Sequence, residues 1–243
     1  MGLLSNRIDR GSLKPGDHIY SWRSYVYAHH GIYVGNDKVI HFTRGQGQEV
    51  GTGTVLDALL LSSLPARYQL CSTCFTCPQL AEGDGVVSSC LDCFLAGGVL
   101  YRFEYGVNPV LFLAKARGGT CTTAVSDPDD IVVDRATYLL NNGFRSYNVF
   151  ESNCEDFAIY CKTSLLVVEQ GAIGHSGQAT SIIGGSVSAI LATPLCLLTT
   201  NVYGIVATGI GLYCRIRYAT DIGMRKEVEK VAVEDLSKFL PRK

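Results

Sequence analysis

The chain has no surplus of positive charge: 21 Lys and Arg stand against 22 Asp and Glu, a net charge of −1. That balance excludes a nucleic-acid binder that relies on a basic surface. The start, MGLLSNRIDRGS, lacks a long apolar stretch, so a secretory signal is not expected there. It also misses a myristoylation pattern, because Ser5 comes one place early and Asn6 stands where Ser or Thr is required. Without a secretory address the expected compartment is reducing and cytoplasmic. The ten cysteines are then expected as thiols or metal ligands rather than as disulfides. No internal repeat is present.

Charge is also missing locally. From Gln170 to Cys214, 45 positions hold no Asp, Glu, Lys or Arg. Inside lie two apolar runs, SIIGGSVSAILATPLCLL (181–198) and NVYGIVATGIGLYC (201–214). The first borders on the roughly 20 residues that span a bilayer. Its small residues suit close helix packing, and Pro194 is a candidate kink. Membrane association of 176–214 at a cytosolic face is the expectation, with a glycine-rich soluble helical pair as the alternative. The last segment, 215–243, carries 8 basic and 5 acidic residues, a net of +3, whereas residues 1–214 carry 13 and 17. A basic segment beside an apolar one fits the positive-inside tendency.

The remaining pattern is α+β. Short strands are expected at DHIYSW (17–22), GIYVG (31–35) and KVIHFT (38–43), with GND as a hairpin signal. GVLYRFEYG, PVLFLAK and the segment around Cys121 read as further strand-like runs. DPDDIVVDRATYLLNNG (127–143) reads as a helix, with acids at its start, Val133, Ala136, Leu139 and Leu140 at helical spacing, and Gly143 at its stop. ESNCEDFAIYC (151–161) reads as a second helix. The organisation expected is a catalytic domain over 1–168 with a cysteine-rich insertion at about 65–95, an apolar helical segment at 176–214, and a charged end at 215–243.

Cys154 stands out in that second helix. Ser152 and Glu155 form an S-x-x-E capping pattern, which puts Cys154 in the first turn, where amides and the helix dipole favour a thiolate. Cys161 falls at core-facing spacing. Position alone leaves Cys154 open to two roles, nucleophile or small packing residue. A nucleophile needs a base. Four of the five histidines, His18, His29, His30 and His41, lie in the first 41 residues. His29 and His41 are each six residues from Gly35. A loop centred there with an odd residue count makes them cross-strand neighbours and turns His30 to the other face. A two-residue Asn36-Asp37 turn instead pairs His41 with Ile32 and separates the two histidines.

The insertion reads CSTCFTCPQLAEGDGVVSSCLDC: C-x2-C-x2-C, twelve residues, then C-x2-C. Four of Cys71, Cys74, Cys77, Cys90 and Cys93 fit a structural zinc site, and a zinc would order a polar loop that has no core of its own. A reduced loop without metal is the alternative.

Three blocks, LKPGDHIYSW, YAHHGIYVGNDKVIHF and SNCEDFAIYC, resemble the signature blocks of the lecithin:retinol acyltransferase family, in the same order and over roughly residues 10–165. Plant proteins with an NC domain are the nearest resemblance. It implies a circularly permuted papain-like fold of the NlpC type, an antiparallel sheet with packed helices. It also implies a Cys154 nucleophile, a His29 base and an orienting His41, with Asn153 and Glu155 at the oxyanion end of the site. No cofactor is needed for that chemistry. Asp156 and His30 depart from the family pattern, and the insertion at 71–93 is foreign to the animal enzymes, which leaves the acyl acceptor open.

The function expected is therefore thiol-dependent acyl transfer or hydrolysis on glycerophospholipid acyl esters, with membrane phospholipid as partner. The alternative is a non-catalytic, zinc-containing binding or scaffold protein at a membrane. A cysteine peptidase is opposed by the histidine-before-cysteine order.

Overall fold

The computed structural model describes residues 6–23, 27–43, 85–115, 117–144, 152–167, 177, 188 and 202–239. A five-stranded antiparallel sheet is its centre, in the order β4-β3-β2-β1-β5. Its strands are β1 (His18–Arg23), β2 (Tyr27–Gly35), β3 (Lys38–Thr43), β4 (Gly85–Cys90) and β5 (Tyr101–Arg102). The helices are α1 (Leu91–Leu95), α2 (Pro109–Ala114), α3 (Asp129–Asn142), α4 (Cys154–Thr163) and α5 (Val202–Ala219). A second, two-stranded sheet pairs β6 (Leu165–Val167) with β7 (Val228–Lys230). The α+β class read from the sequence is the class observed.

One run differs from its reading. PVLFLAK, strand-like in composition, is helical as α2. Asn108 caps it by accepting the Leu111 amide at 2.9 Å, and Pro109 sits in the first turn, where its missing N–H costs nothing. Local capping outweighs β propensity over so short a segment.

Each face of the sheet has its own core. On one face Ile32, Ile40 and Phe42 pack against Val132, Ala136 and Leu139 of α3 and against Phe157, Ala158 and Cys161 of α4. On the other, Ile19 and Val39 pack against Leu91, Phe94 and Leu95 of α1. Part of the charged C-terminal stretch also belongs to the structure. Val231 and Leu236 join the first core, and the Tyr160 hydroxyl donates to the Val231 carbonyl at 2.9 Å.

The β2–β3 hairpin decides what the site can be. Its turn is the two-residue one: Gly35 pairs with Lys38, and Asn36 and Asp37 hold φ of 50° and 54°, the left-handed pair of a tight hairpin turn. That turn alone would set His41 opposite Ile32. The register shifts between Tyr33 and Gly35, however, and beyond the shift His41 lies opposite Gly31. A bulge adds one residue to one strand and so reverses which face every later residue occupies. His29 and His41 therefore share a face, on a diagonal rather than directly opposite.

Gly31 fills the place between them because nothing larger fits. A Cβ there would lie 2.7 Å from Val39 Cγ1, 3.0 Å from Phe94 Cε2 and 3.1 Å from His41 Cβ. Gly31→Ala is expected to cost about 1–3 kcal/mol of stability through overpacking. Denaturant unfolding measures this, and an unchanged midpoint would show that Phe94 and His41 are not held against the strand.

Candidate active site

The start of α4 is capped one residue later than the S-x-x-E pattern indicated. Asn153 is the cap: its side-chain oxygen accepts the amides of Glu155 at 2.8 Å and Asp156 at 3.3 Å, and Asp156 accepts the Asn153 amide at 3.0 Å. Asn153 wins because its amide oxygen reaches two helix-start amides and Asp156 completes the capping box. Ser152 is buried, and its hydroxyl has no hydrogen-bond partner among the described residues. Cys154 is then the first residue of the helix, fully buried, with Sγ 3.7 Å from the Ala28 carbonyl oxygen. The Asn153 and Glu155 amides, expected near an oxyanion, are both engaged within the cap. The Glu155 carboxylate accepts the Gly177 amide at 3.0 Å. Cys161 lies in the core, where burial pushes its thiol pKa up.

Four polar groups run in a row from the sulfur. The Tyr27 hydroxyl lies 3.6 Å from Cys154 Sγ and 3.1 Å from His29 Nδ1. His29 Nε2 is 2.9 Å from His41 Nδ1, and His41 Nε2 is 3.0 Å from the Ser89 hydroxyl. Two proton arrangements satisfy these contacts. In the one where Ser89 accepts from His41 and His41 accepts from His29, the Nδ1 of His29 is an acceptor turned toward Tyr27 and the sulfur. The structure thus brings together Cys154, His29 and His41, joined by two residues that sequence reasoning missed. Tyr27 was within reach of it: two residues before His29, it lies on the same strand face. Ser89 was not, since 48 residues and the insertion separate it from His41.

His30 turns to the opposite face, as strand alternation requires. There its Nδ1 meets His18 Nε2 at 2.8 Å, and His18 Nδ1 meets the Tyr105 hydroxyl at 2.7 Å. Phe103 stacks on His18 with ring centroids 4.4 Å apart. His30 Nε2 is buried and has no hydrogen-bond partner among the described residues. Burial lowers the pKa of all three of these histidines well below 6.5, and secondary contributions come from His30 and Lys162 on His18, Arg23 on His29, and His29 on His30. His29 is therefore neutral near pH 7, the protonation state of a base.

Of the expected zinc ligands, Cys71, Cys74 and Cys77 lie outside the described residues. Cys90 and Cys93 are half-buried thiols, and the Cys93 amide donates to Cys90 Sγ at 3.4 Å. Among the described residues no group of three or more His, Cys, Asp or Glu is placed to hold a metal. Of the apolar run 181–198 only Ser188 is described. The run 201–214 falls largely in α5, and no described helix is long and apolar enough to cross a membrane.

Comparison with known proteins adds two findings. Residues 11–167 match the family described as lecithin retinol acyltransferase. Protein LEAD-SENSITIVE 1 of Arabidopsis thaliana is 70% identical over 241 residues, covering 99% of this chain and 92% of its own length.

The buried histidines make stability depend on pH. In the folded chain His18, His29 and His30 titrate below their ordinary value of 6.5, so below that pH the unfolded chain binds more protons. Stability is fully present above pH 6.5 and is lost as the pH falls toward the folded values. Each histidine adds a slope of up to about 1.4 kcal/mol per pH unit. Urea midpoints between pH 7.5 and 5 are expected to fall with a limiting slope of about three protons. His18→Gln should remove one proton from that slope; a flat profile would contradict the buried neutral set.

Proposed function

The chain belongs to the lecithin retinol acyltransferase family, and from that membership we propose that it is a thiol-dependent acyl-transfer enzyme acting on glycerophospholipid esters through a thioester on Cys154. The observation that carries this reading is the row Cys154, Tyr27, His29, His41 and Ser89, which joins a thiol to a neutral imidazole whose second nitrogen is already held.

The steps follow from the roles in that row. His29 Nδ1 takes the thiol proton, directly or through the Tyr27 hydroxyl. Sγ attacks the ester carbonyl carbon, and the C–O bond to glycerol breaks. The leaving oxygen takes the proton from the His29 imidazolium, and the acyl chain stays on sulfur as a thioester. Water, an amine or an alcohol then attacks the thioester carbonyl carbon, His29 removes the proton from that acceptor, the C–S bond breaks, and Sγ takes the proton back from the His29 imidazolium. His41 orients His29 through its Nδ1 and favours the imidazolium once it forms. Ser89 holds His41 from behind.

A lipid surface as the source of the acyl donor is supported by α5. Tyr203, Val206 and Ile210 are 88%, 54% and 59% exposed. They recur at i, i+3 and i+7, which is one face of a helix. They also lie in the part of the chain without charge.

Two measurements test the proposal. After incubation with a glycerophospholipid carrying a labelled acyl chain, intact-mass analysis is expected to show the acyl adduct on wild type and none on Cys154→Ala. His29→Gln should reduce turnover by about 10²–10⁴. Acyl release by Cys154→Ala at the wild-type rate would overturn the thioester on Cys154, and a wild type that forms no adduct and releases no acyl chain would leave the non-catalytic binding role as the better account. On phospholipid vesicles, Ile210→Asp is expected to weaken co-sedimentation, since roughly 1.5–3 kcal/mol of burial is lost with such a side chain. Equal binding by this variant would remove the lipid role from α5.

A further inference from the structure

Arg23 closes β1 and pairs with Tyr27 in the antiparallel register, as Ser21 pairs with His29. Residues directly opposite in a sheet share a face, so Arg23 projects to the side of Tyr27, His29 and α1. α1 is five residues long, and the last carbonyls of a helix have no amide within it to accept from. Arg23 supplies donors to two of them. Its Nη2 donates to the Phe94 carbonyl at 2.5 Å and its Nη1 to the Leu95 carbonyl at 2.7 Å. Two donors on one rigid plane fix direction as well as distance, which a lysine ammonium does not do.

Phe94, the residue held at its carbonyl, is the ring that lies on both site histidines. Its centroid is 5.2 Å from that of His29 and 5.5 Å from that of His41. A Cβ on Gly31 would meet the same ring at 3.0 Å. The turn after α1 is also pressed onto β1, since a Cβ on Gly98 would fall 2.3 Å from Ser21 Oγ.

We propose that Arg23 is a positioning residue for the candidate site: its guanidinium holds the end of α1 so that the Phe94 ring keeps His29 and His41 in the orientation in which they meet. The inference rests on the reading of His29 as the base. The two imidazoles stand nearly perpendicular, at 84°, and their 2.9 Å hydrogen bond requires that neither ring turn about its Cβ–Cγ bond. Phe94 fills the space into which they would turn. The charge of Arg23 acts in the same sense, since it lowers the pKa of His29 and so favours the neutral ring. The other groups around His29 are Tyr27 on its own strand, His41 on β3, Phe94 on α1, His30 behind it, and Cys154 on α4 beyond the Tyr27 hydroxyl. Within that set Arg23 carries the permanent charge.

The experiment uses the full chain as wild type, Arg23→Lys, Arg23→Gln and Phe94→Leu, each checked for folding by its urea midpoint. Three quantities are read: the imidazole NMR signals of His29 and His41, the pH at which His29 titrates, and the rate at which Cys154 takes a labelled acyl chain from a glycerophospholipid. Arg23→Lys is expected to move the signals of both rings toward their positions in Phe94→Leu and to slow acylation by about 10–10²-fold, the scale of a displaced reacting group. Arg23→Gln is expected to do the same and also to raise the pH at which His29 titrates, because the charge is gone as well as the fork. A role confined to capping α1 would lower the midpoint and leave the imidazole signals and the His29 titration as in wild type; that result overturns the proposal. Wild type supplies a readout that needs no variant. Its Arg23 Nη signals are expected to be separate, as in a guanidinium held at both ends, and one averaged signal would overturn the proposal even if the variants fail to fold. If the imidazole signals move in both Arg23 variants while wild-type Cys154 forms no acyl adduct, Arg23 holds the rings and the acyl-transfer reading falls.

Discussion

The hydrogen bond between His29 Nε2 and His41 Nδ1, 2.9 Å long, depends on one extra residue in β2. A hairpin closed by Asn36 and Asp37 has a register in which these two side chains point to opposite faces of the sheet. The irregularity between Tyr33 and Gly35 moves the register by one and brings them back to the same face. Everything that follows in the row uses this step. His41 can hold His29 only if both rings share a face, and Ser89 can hold His41 only if β4 pairs on the far side of β3, as it does. Gly31 completes the arrangement, because a Cβ at its position would overlap Val39 Cγ1 at 2.7 Å and press on Phe94 and His41.

The sheet separates two histidine pairs that the chain places in adjacent positions. His29 and His30 are sequence neighbours, yet one joins the row that leads to Cys154 and the other joins His18 and Tyr105 across the sheet. Both are buried and neutral, which reduces the repulsion two imidazolium rings would suffer so close together. The consequence is a neutral imidazole at His29 near pH 7 and a fold that weakens in acid, and both follow from the removal of these rings from water.

Much of the chemistry was legible in the residues themselves. Strand alternation separated His29 from His30, and periodicity marked α3 and α4. Cys161 could be distinguished from Cys154 by its core-facing spacing. Ser152 and Asn153 are both good caps, and the choice between them rests on which oxygen reaches two amides at once, a distance that no pattern encodes. The run that forms α2 is strand-like because six apolar residues carry little periodicity, and its cap decides for the helix.

The sequence by itself determined the inventory: one thiol at a helix start, a group of early histidines, paired cysteines in an insertion, and 45 positions without charge. It determined these because each depends on residue type and near-neighbour spacing, which the chain states directly. The tertiary structure alone decided the partners. Ser89 and Phe94 meet the histidines across 48 residues of chain or more, and their meeting depends on strand register, a bulge and the absence of one Cβ. Those are properties of how strands lie against each other, and a local reading of the chain does not contain them.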